Sequence, residues 1–446
     1  MNKTSNHSPR SNNSAFLARA LSSRNYRLFF GGQIVSLTGT WMTNVATSWL
    51  VYRLTGSALL LGIVGFSGQL PSFLLLPFAG LFVDRCNRHR LLVVTQTLSM
   101  IQSLALAALT LSGRITIPWL LALSVFQGLV NAFDMPCRQA FVVEIIEKKE
   151  DLGNAIALNS SMFNAARIVG PAIGGALIAA VGEGWCFLAD GVSYLAVIVA
   201  LLAMVLKIRE PLKHQRVNGM SQFKEGLKYS LQSRPIRSLI ALIALVSLMG
   251  VPYMVLMPVF AGVVLKGGPH TLGFLMTASG AGALIGSLWL ASRKSVLGLG
   301  RAIPWATTAF GMGLIAFSFS RSLWLSIVFL VIAGCGFMVQ VAASNTILQT
   351  IVEDDKRGRV MSLFVMAFMG TAPFGSLLAG SLSQKIGVPH TLFISGMCCL
   401  GGAFWFYKQL PEIREAVRPI YRTLGILPEV AVGIETATEL SLPPEE

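Results

Sequence analysis

Asn164-Ala165-Ala166-Arg167-Ile168-Val169-Gly170-Pro171-Ala172-Ile173-Gly174-Gly175-Ala176-Leu177 sets an arginine, a proline and three glycines inside an otherwise apolar run. In water, Pro171 would break such a helix and the glycines would weaken it. Inside a bilayer, close packing against neighbouring helices makes both tolerable. Ser160, Asn164, Arg167, Pro171 and Gly174 follow the i, i+4, i+7, i+11, i+14 spacing and share one helix face. A charge near the bilayer centre costs at least a few kcal/mol, so this face turns away from lipid, toward a protein interior or an aqueous path. The stretch reads as the middle of a membrane-spanning helix.

The composition agrees. Of 446 residues, 54% are hydrophobic and only 12% charged, with a mean hydropathy of +0.66. So large an apolar excess identifies an integral membrane protein. Divided at ~20 residues per span, the apolar runs give twelve helices at roughly 26–51, 58–83, 90–112, 117–138, 153–181, 184–207, 237–262, 270–292, 302–320, 322–350, 359–385 and 388–408. The net charge of +15 would suit nucleic acid, but the positions of the charges exclude that partner. With the N-terminus inside, 29 of the 35 basic residues fall on cytoplasmic segments and five on outer loops (Arg53, Arg114, Lys266, Arg321, Lys385). The positive-inside rule then places both termini in the cytoplasm. The six cysteines are scattered among spans and cytoplasmic ends and read as free thiols. Residues 1–24 and 409–446 are expected to be disordered cytoplasmic tails. Residues 1–24 lack the apolar core of a signal peptide.

Polar residues recur along particular spans. The first span carries Gln33, Thr40, Asn44 and Thr47 on roughly one face, and the fourth carries Gln127, Asn131, Asp134 and Arg138 at i, i+4, i+7 and i+11. Asp134 lies ~25 Å along its helix, near the cytoplasmic surface, as a local partner of Arg138 or as a proton-handling group. Arg167 lies ~20 Å from the cytoplasmic start of the fifth span and Asp190 ~9 Å inside the outer end of the sixth, the same level in a ~30 Å core. Asp190 is therefore read as a counter-ion for Arg167 or as a carboxylate that exchanges a proton when substrate displaces the pair. The third span reads as nearly all apolar, a support for its neighbours. Spans seven to twelve hold no acidic residue, and Gln340, Ser344, Asn345 and Gln349 give the tenth a neutral polar face. Phe29, Phe66, Phe133, Tyr253, Phe260, Phe337 and Met338 either line a cavity or pack a core.

Between the second and third spans lies Gly80-Leu81-Phe82-Val83-Asp84-Arg85-Cys86-Asn87-Arg88-His89-Arg90. It resembles the loop signature G-x-L-x-D-R-x-G-R-R of the major facilitator superfamily. Gly80, Asp84, Arg85 and Arg88 match; Phe82, Asn87 and His89 depart. Read without the resemblance, the arginines are topology determinants. Gly170-Pro171 with Gly174-Gly175 resembles the antiporter motif of the superfamily's drug-exporting branches, with Ala166 where the motif has an earlier glycine. The run Arg357-Gly358-Arg359-Val360-Met361-Ser362 is similar to one in the same branches. Weak repeats at offsets of 211 (Leu61-Gly62 with Leu272-Gly273) and 202 (Gly170-Pro171 with Ala372-Pro373) divide the chain into two six-helix units. The second copy of the loop signature has decayed to Ser292-Arg293-Lys294-Ser295.

Residues 25 to 408 thus resemble the superfamily, most closely its macrolide and siderophore (enterobactin-type) efflux branch. The resemblance implies an all-α membrane protein of two six-helix bundles, residues 25–208 and 237–408, around a cavity lined by helices one, four, seven and ten. It implies a latch at Gly80, Asp84, Arg85 and Arg88, its arginines on neighbouring carboxylates such as Glu144, Glu147, Glu150 and Asp151. Close packing is implied at Gly170, Pro171, Gly174 and Gly175. The linker, residues 209–236, contains a basic amphipathic segment expected to lie on the anionic inner leaflet.

The expected activity is proton-coupled export of an amphipathic or hydrophobic small molecule by alternating access in a bacterial inner membrane, by a monomer. Asp134, Arg167, Asp190, Asn131, Gln127, Asn44, Gln33 and Gln340 are the candidates for proton coupling and the substrate path. A lysophospholipid flippase or a nutrient importer of the same fold is the competing reading. No P-loop run G-x-x-x-x-G-K-[ST] occurs, and the five histidines fall in tails, loops and helix ends, so neither an ATPase nor an enzyme is expected. No cofactor or metal is called for.

Overall fold

The computed structural model describes residues 19–146, 148–205, 219–293 and 295–423. These residues form twelve long helical segments: α1 (Arg24–Thr55), α2 (Ala58–Arg85), α3 (Arg88–Leu111), α4 (Ile117–Ile145), α5 (Leu152–Val181), α6 (Glu183–Leu202), α7 (Arg234–Val264), α8 (Pro269–Ala291), α9 (Leu299–Phe319), α10 (Leu323–Ile351), α11 (Asp354–Ile386) and α12 (Val388–Thr423). Eleven are long and apolar enough to cross a membrane. The exception is α1, whose Gln33, Asn44 and threonines dilute its apolar character. Pro171 lies within α5 without ending it, as the opening stretch predicts for a packed membrane helix. In α7, five-residue π turns at Val246–Gly250 and Phe260–Val264 flank a segment containing Pro252 and Pro258. A proline has no N–H to give the helical ladder, and widened turns let the helix continue past it.

The helices gather into two compact units. The first comprises the described residues of Met1–Gly56, Ser67–His214 and Lys266–Thr277; the second those of Ser57–Phe66, Gln215–Leu265 and Ala278–Glu446. In the first unit, α6 packs along both α1 and α3, α5 packs on α1, and α3 also packs on α4. Tyr26, Phe29, Val83, Leu92, Phe141, Ile145, Val197 and Leu201 form a core at one end. In the second unit α9 packs between α10 and α12.

The extents of both tails and the expected partners of the α2–α3 loop need correction. Within the supposed N-terminal tail, residues 20–22 form a turn of 3-10 helix; Ala20 is buried and its N–H donates to Asn154 Oδ1 (3.0 Å). Arg19 pairs with Glu150 (3.4 Å) and Asp151 (3.2 Å), which therefore are not partners of the basic α2–α3 loop. At the other end, α12 runs on to Thr423 instead of stopping near 408, and Arg234 pairs with Glu412. The linker helix (Gly219–Gln232) is held on α11: Glu225 pairs with Arg359 (2.9 Å), and Lys356 Nζ lies 4.8 Å from the Tyr229 ring centre. Burial and Glu353 nearby push the Tyr229 phenol upward from its ordinary range. Residues 1–18, 206–218 and 424–446, together with Glu147 and Lys294, lie outside the described residues.

Candidate functional site

The α2–α3 loop is built from local chemistry. Asp84 in the last turn of α2 pairs with Arg88 (3.0 Å), and Arg88 also reaches Glu144 near the end of α4 (3.4 Å). Asn87 caps α3, its side chain accepting from Arg90 N–H (3.0 Å). Asparagine does this work well, which explains a departure from the glycine of the signature. His89 Nε2 donates to the Leu201 carbonyl (2.8 Å), tying the start of α3 to α6. Arg85 is exposed and makes no ion pair among the described residues, and a Cβ at Gly80 would meet nothing within 4 Å. The arrangement joins α2, α3 and α4 through Asp84, Arg88 and Glu144, without Arg85.

The Gly-Pro stretch of α5 is a close-packing seam. A Cβ at Gly170 would lie 2.5 Å from Trp41 Cβ, and one at Gly174 would lie 3.1 Å from Met42 Cα, so both residues bring α5 against α1. A Cβ at Gly175 would lie 2.9 Å from Gly273 Cα. Arg167, almost fully buried, places its guanidinium 5.9 Å from the Trp41 ring centre. Asp190, at the same depth, takes hydrogen bonds from Thr43 and Ser103. Equal depth along two helices left their rotation undetermined, and the rotation turns Asp190 toward α1 and α3.

Asp190 and Asp134 are each buried to within 2% of full burial. Asp190 Oδ2 accepts from Thr43 Oγ1 on α1 (2.8 Å) and Ser103 Oγ on α3 (2.9 Å). Gly39 makes room for the carboxylate, since a Cβ there would lie 2.6 Å from Asp190 Oδ1. Asp134 pairs with Arg138 and accepts from Thr95 Oγ1 (2.8 Å) and Gln96 Nε2 (2.7 Å), both on α3. Gln127 Nε2 donates to Ser99 Oγ (3.1 Å) and Asn131 Oδ1 (3.0 Å).

The third span is therefore not a plain apolar support: Thr95, Gln96, Ser99, Gln102 and Ser103 are all buried on one side of it. Their spacing of i, i+1, i+4, i+7, i+8 is the signal that would have found them.

Other candidates are placed apart. Gln33 and Gln340 are fully buried, and among the described residues neither has a hydrogen-bond partner for its side-chain polar atoms; Ser344 Oγ is in the same condition. Asn44 is exposed. Phe29, Tyr253 and Phe260 are core residues, which settles their packing role. All six cysteines are free thiols. A cavity of about 720 Å³ opens at one end of the first unit, among Trp49, Arg53, Ile178, Glu183, Pro269 and His270, and no chosen candidate lines it. Its Glu183, buried and held by two hydrogen bonds from Arg53 (2.7 and 3.1 Å), begins α6, where sequence reading had placed a loop.

Residues 16–436 match the family described as transmembrane secretion effector, a family of the major facilitator superfamily. The chain belongs to it. Among relatives of this major facilitator protein is the staphyloferrin A transporter of Staphylococcus aureus (strain NCTC 8325 / PS 47), 27% identical over 87% of this chain and 97% of the relative. The multidrug efflux pump Tap of Mycolicibacterium fortuitum is 27% identical over 85% and 95%, and macrolide efflux protein A of Streptococcus pyogenes 24% over 83% and 93%. Among solved structures, an inward-facing bacterial homologue of the iron transporter ferroportin superposes with a TM-score of 0.69 at 18% identity, covering 87% of this chain and 98% of that one, a likeness of fold. The protein is thus a multi-pass membrane transporter of the major facilitator superfamily and not an enzyme, with a multidrug efflux pump and a macrolide efflux protein among its relatives.

Proposed function

We propose that this transporter is a proton-coupled exporter of amphipathic or hydrophobic small molecules, working by alternating access in a bacterial inner membrane with both termini cytoplasmic. The observation that carries the reading is the pair of buried carboxylates, Asp134 and Asp190, each held by hydroxyl or amide donors inside membrane helices. Ionisable groups at such depth are costly and mark ion or substrate pathways. The names of its relatives, which move drugs, macrolides and a siderophore, support export of a small organic molecule. Arg167, on the face of α5 beside Trp41, would act as a cation toward an anionic or aromatic part of the cargo.

The test is accumulation of ethidium, erythromycin and a siderophore in exporter-deficient cells expressing wild type or Arg167→Ala, with and without a protonophore. Lower accumulation that both the protonophore and the substitution abolish is the expected result. Uptake in place of extrusion under an imposed pH gradient would replace the reading with that of an importer.

A further inference from the structure

Asp190 and Asp134 are separated along the bundle, yet both receive hydrogen bonds from the same face of α3. Asp190 takes Ser103, and two turns further along Asp134 takes Thr95 and Gln96. Between them lies Ser99, already bonded to Gln127. Thr95, Gln96, Ser99, Gln102 and Ser103 are at most 6% exposed. Nothing the size of an organic cargo passes along atoms so deeply covered. A proton, handed between hydroxyls and single waters, does.

We propose that the buried polar face of α3 is the route by which the coupling proton passes between Asp190 and Asp134, separate from the path of the cargo. The proposal rests on the antiport reading above. Ser103, Ser99 and Thr95 stand one turn apart, and side chains at that spacing have Cβ atoms about 5–6 Å from each other, a gap that one water spans. A buried water needs two to four polar partners. Three buried acceptors along the seam are open to supply them: Asp190 Oδ1, Gln96 Oε1 and Gln127 Oε1 have no hydrogen-bond partner among the described residues.

The amides hold and orient, and the hydroxyls carry. A proton on Asp190 passes to the Ser103 hydroxyl oxygen as that hydroxyl releases its own proton onward. Repeated through Ser99 and Thr95, the exchange leaves Asp134 protonated and Asp190 ionised. Only O–H bonds form and break, and one proton enters for each that leaves. Thr95 already donates to Asp134, whereas Ser103 must turn away from Asp190 to pass a proton on.

The charged or titratable groups facing the two carboxylates are few. Arg138 pairs with Asp134, Cys137 beside it donates to the Arg88 carbonyl (3.3 Å), and Arg88 reaches Glu144. On the other side the buried Cys186 and Tyr194 lie one turn to either side of Asp190, the Tyr194 hydroxyl 3.4 Å from that of Thr40. Protonation of Asp134 removes the charge that holds Arg138, and the α2–α3 loop lies one residue away. Proton arrival is thereby communicated to the Asp84, Arg88 and Glu144 cluster.

The decisive measurement uses the full chain in proteoliposomes containing pyranine, with ethidium and erythromycin as probe cargoes and an imposed pH gradient. Ser99→Ala/Ser103→Ala should lower probe-dependent proton flux about a hundredfold, the low end of what a positioned proton donor contributes. Ethidium affinity, read by fluorescence, should stay at the wild-type value. Ser99→Thr/Ser103→Thr, which keeps both hydroxyls, should retain the flux. Wild-type flux in the alanine pair, or an equal loss in the threonine pair, overturns the route. If the alanine pair does not fold, Ser99→Ala alone decides, with at least a threefold fall expected and an unchanged flux counting against the proposal. Failure of the underlying reading has a different signature: neither probe then moves protons through the wild type.

Discussion

At Asp134 the fold holds a carboxylate that has almost no solvent and three protein partners, Thr95, Gln96 and Arg138. Removing one partner of a buried ion pair strands the other charge, at a cost of about 3 kcal/mol or more. Arg138→Leu should therefore lower the thermal unfolding midpoint in detergent markedly, and Asp134→Asn added to it should recover most of the loss. If the double variant were no more stable than Arg138→Leu, Asp134 would not be the charge that suffers. Gly39 is a second sensitive position, because its missing side chain is the space that Asp190 Oδ1 occupies. Gly39→Ala should cost about 1–3 kcal/mol by overpacking. A midpoint equal to that of wild type would show that α1 can move aside freely.

The linker helix is the element whose role the sequence concealed. Its basic, amphipathic pattern points to a lipid surface, and the structure adds a tie to the start of α11 through Glu225 and Arg359. The Arg357-Gly358-Arg359 run, recognisable in the sequence only as a resemblance, thus acquires a partner. Both side chains are partly exposed, so the pair contributes no more than about 1 kcal/mol. Glu225→Arg should lower stability by that amount, and Glu225→Arg/Arg359→Glu should restore it in a double-mutant cycle. A coupling of zero would mean that Tyr229 and Lys356 alone hold the helix. The helices themselves were legible because hydropathy over a span-length window is a strong, one-dimensional signal. What hydropathy hid was α3: its leucines, valines and alanines outweigh two glutamines and several serines and threonines in the window mean, so the run passed for an apolar support. That Asp190 bonds to α1 and α3 was hidden for a related reason. Rise along an axis is fixed by residue count, but which neighbour a side chain meets depends on helix packing, which no single span encodes.

For the molecule as a whole, the charge distribution makes the claim most open to refutation. Counted on the sequence, the 29 to five bias of basic residues predicts that the Arg85 loop is cytoplasmic and the Arg114 loop external. In a chain freed of its six cysteines, Arg114→Cys should react with a membrane-impermeant maleimide in intact cells, and Arg85→Cys only after permeabilisation. The reverse pattern would invert the topology and, with it, the proposed direction of transport. Transport itself should be abolished by collapse of the pH gradient, as the cell assay above reads directly.

The length of α12 has a practical consequence of its own. Its 36 residues extend for about 54 Å, well beyond a ~30 Å hydrocarbon core, and Arg234 pairs with Glu412 along the surplus. A reporter domain fused in helical phase at Thr423 would be carried on a continuous rod and not on a tether. Its orientation would then report the tilt of that span directly, giving an imaging fiducial or a polarised fluorophore a fixed attachment to a transporter of under 50 kDa.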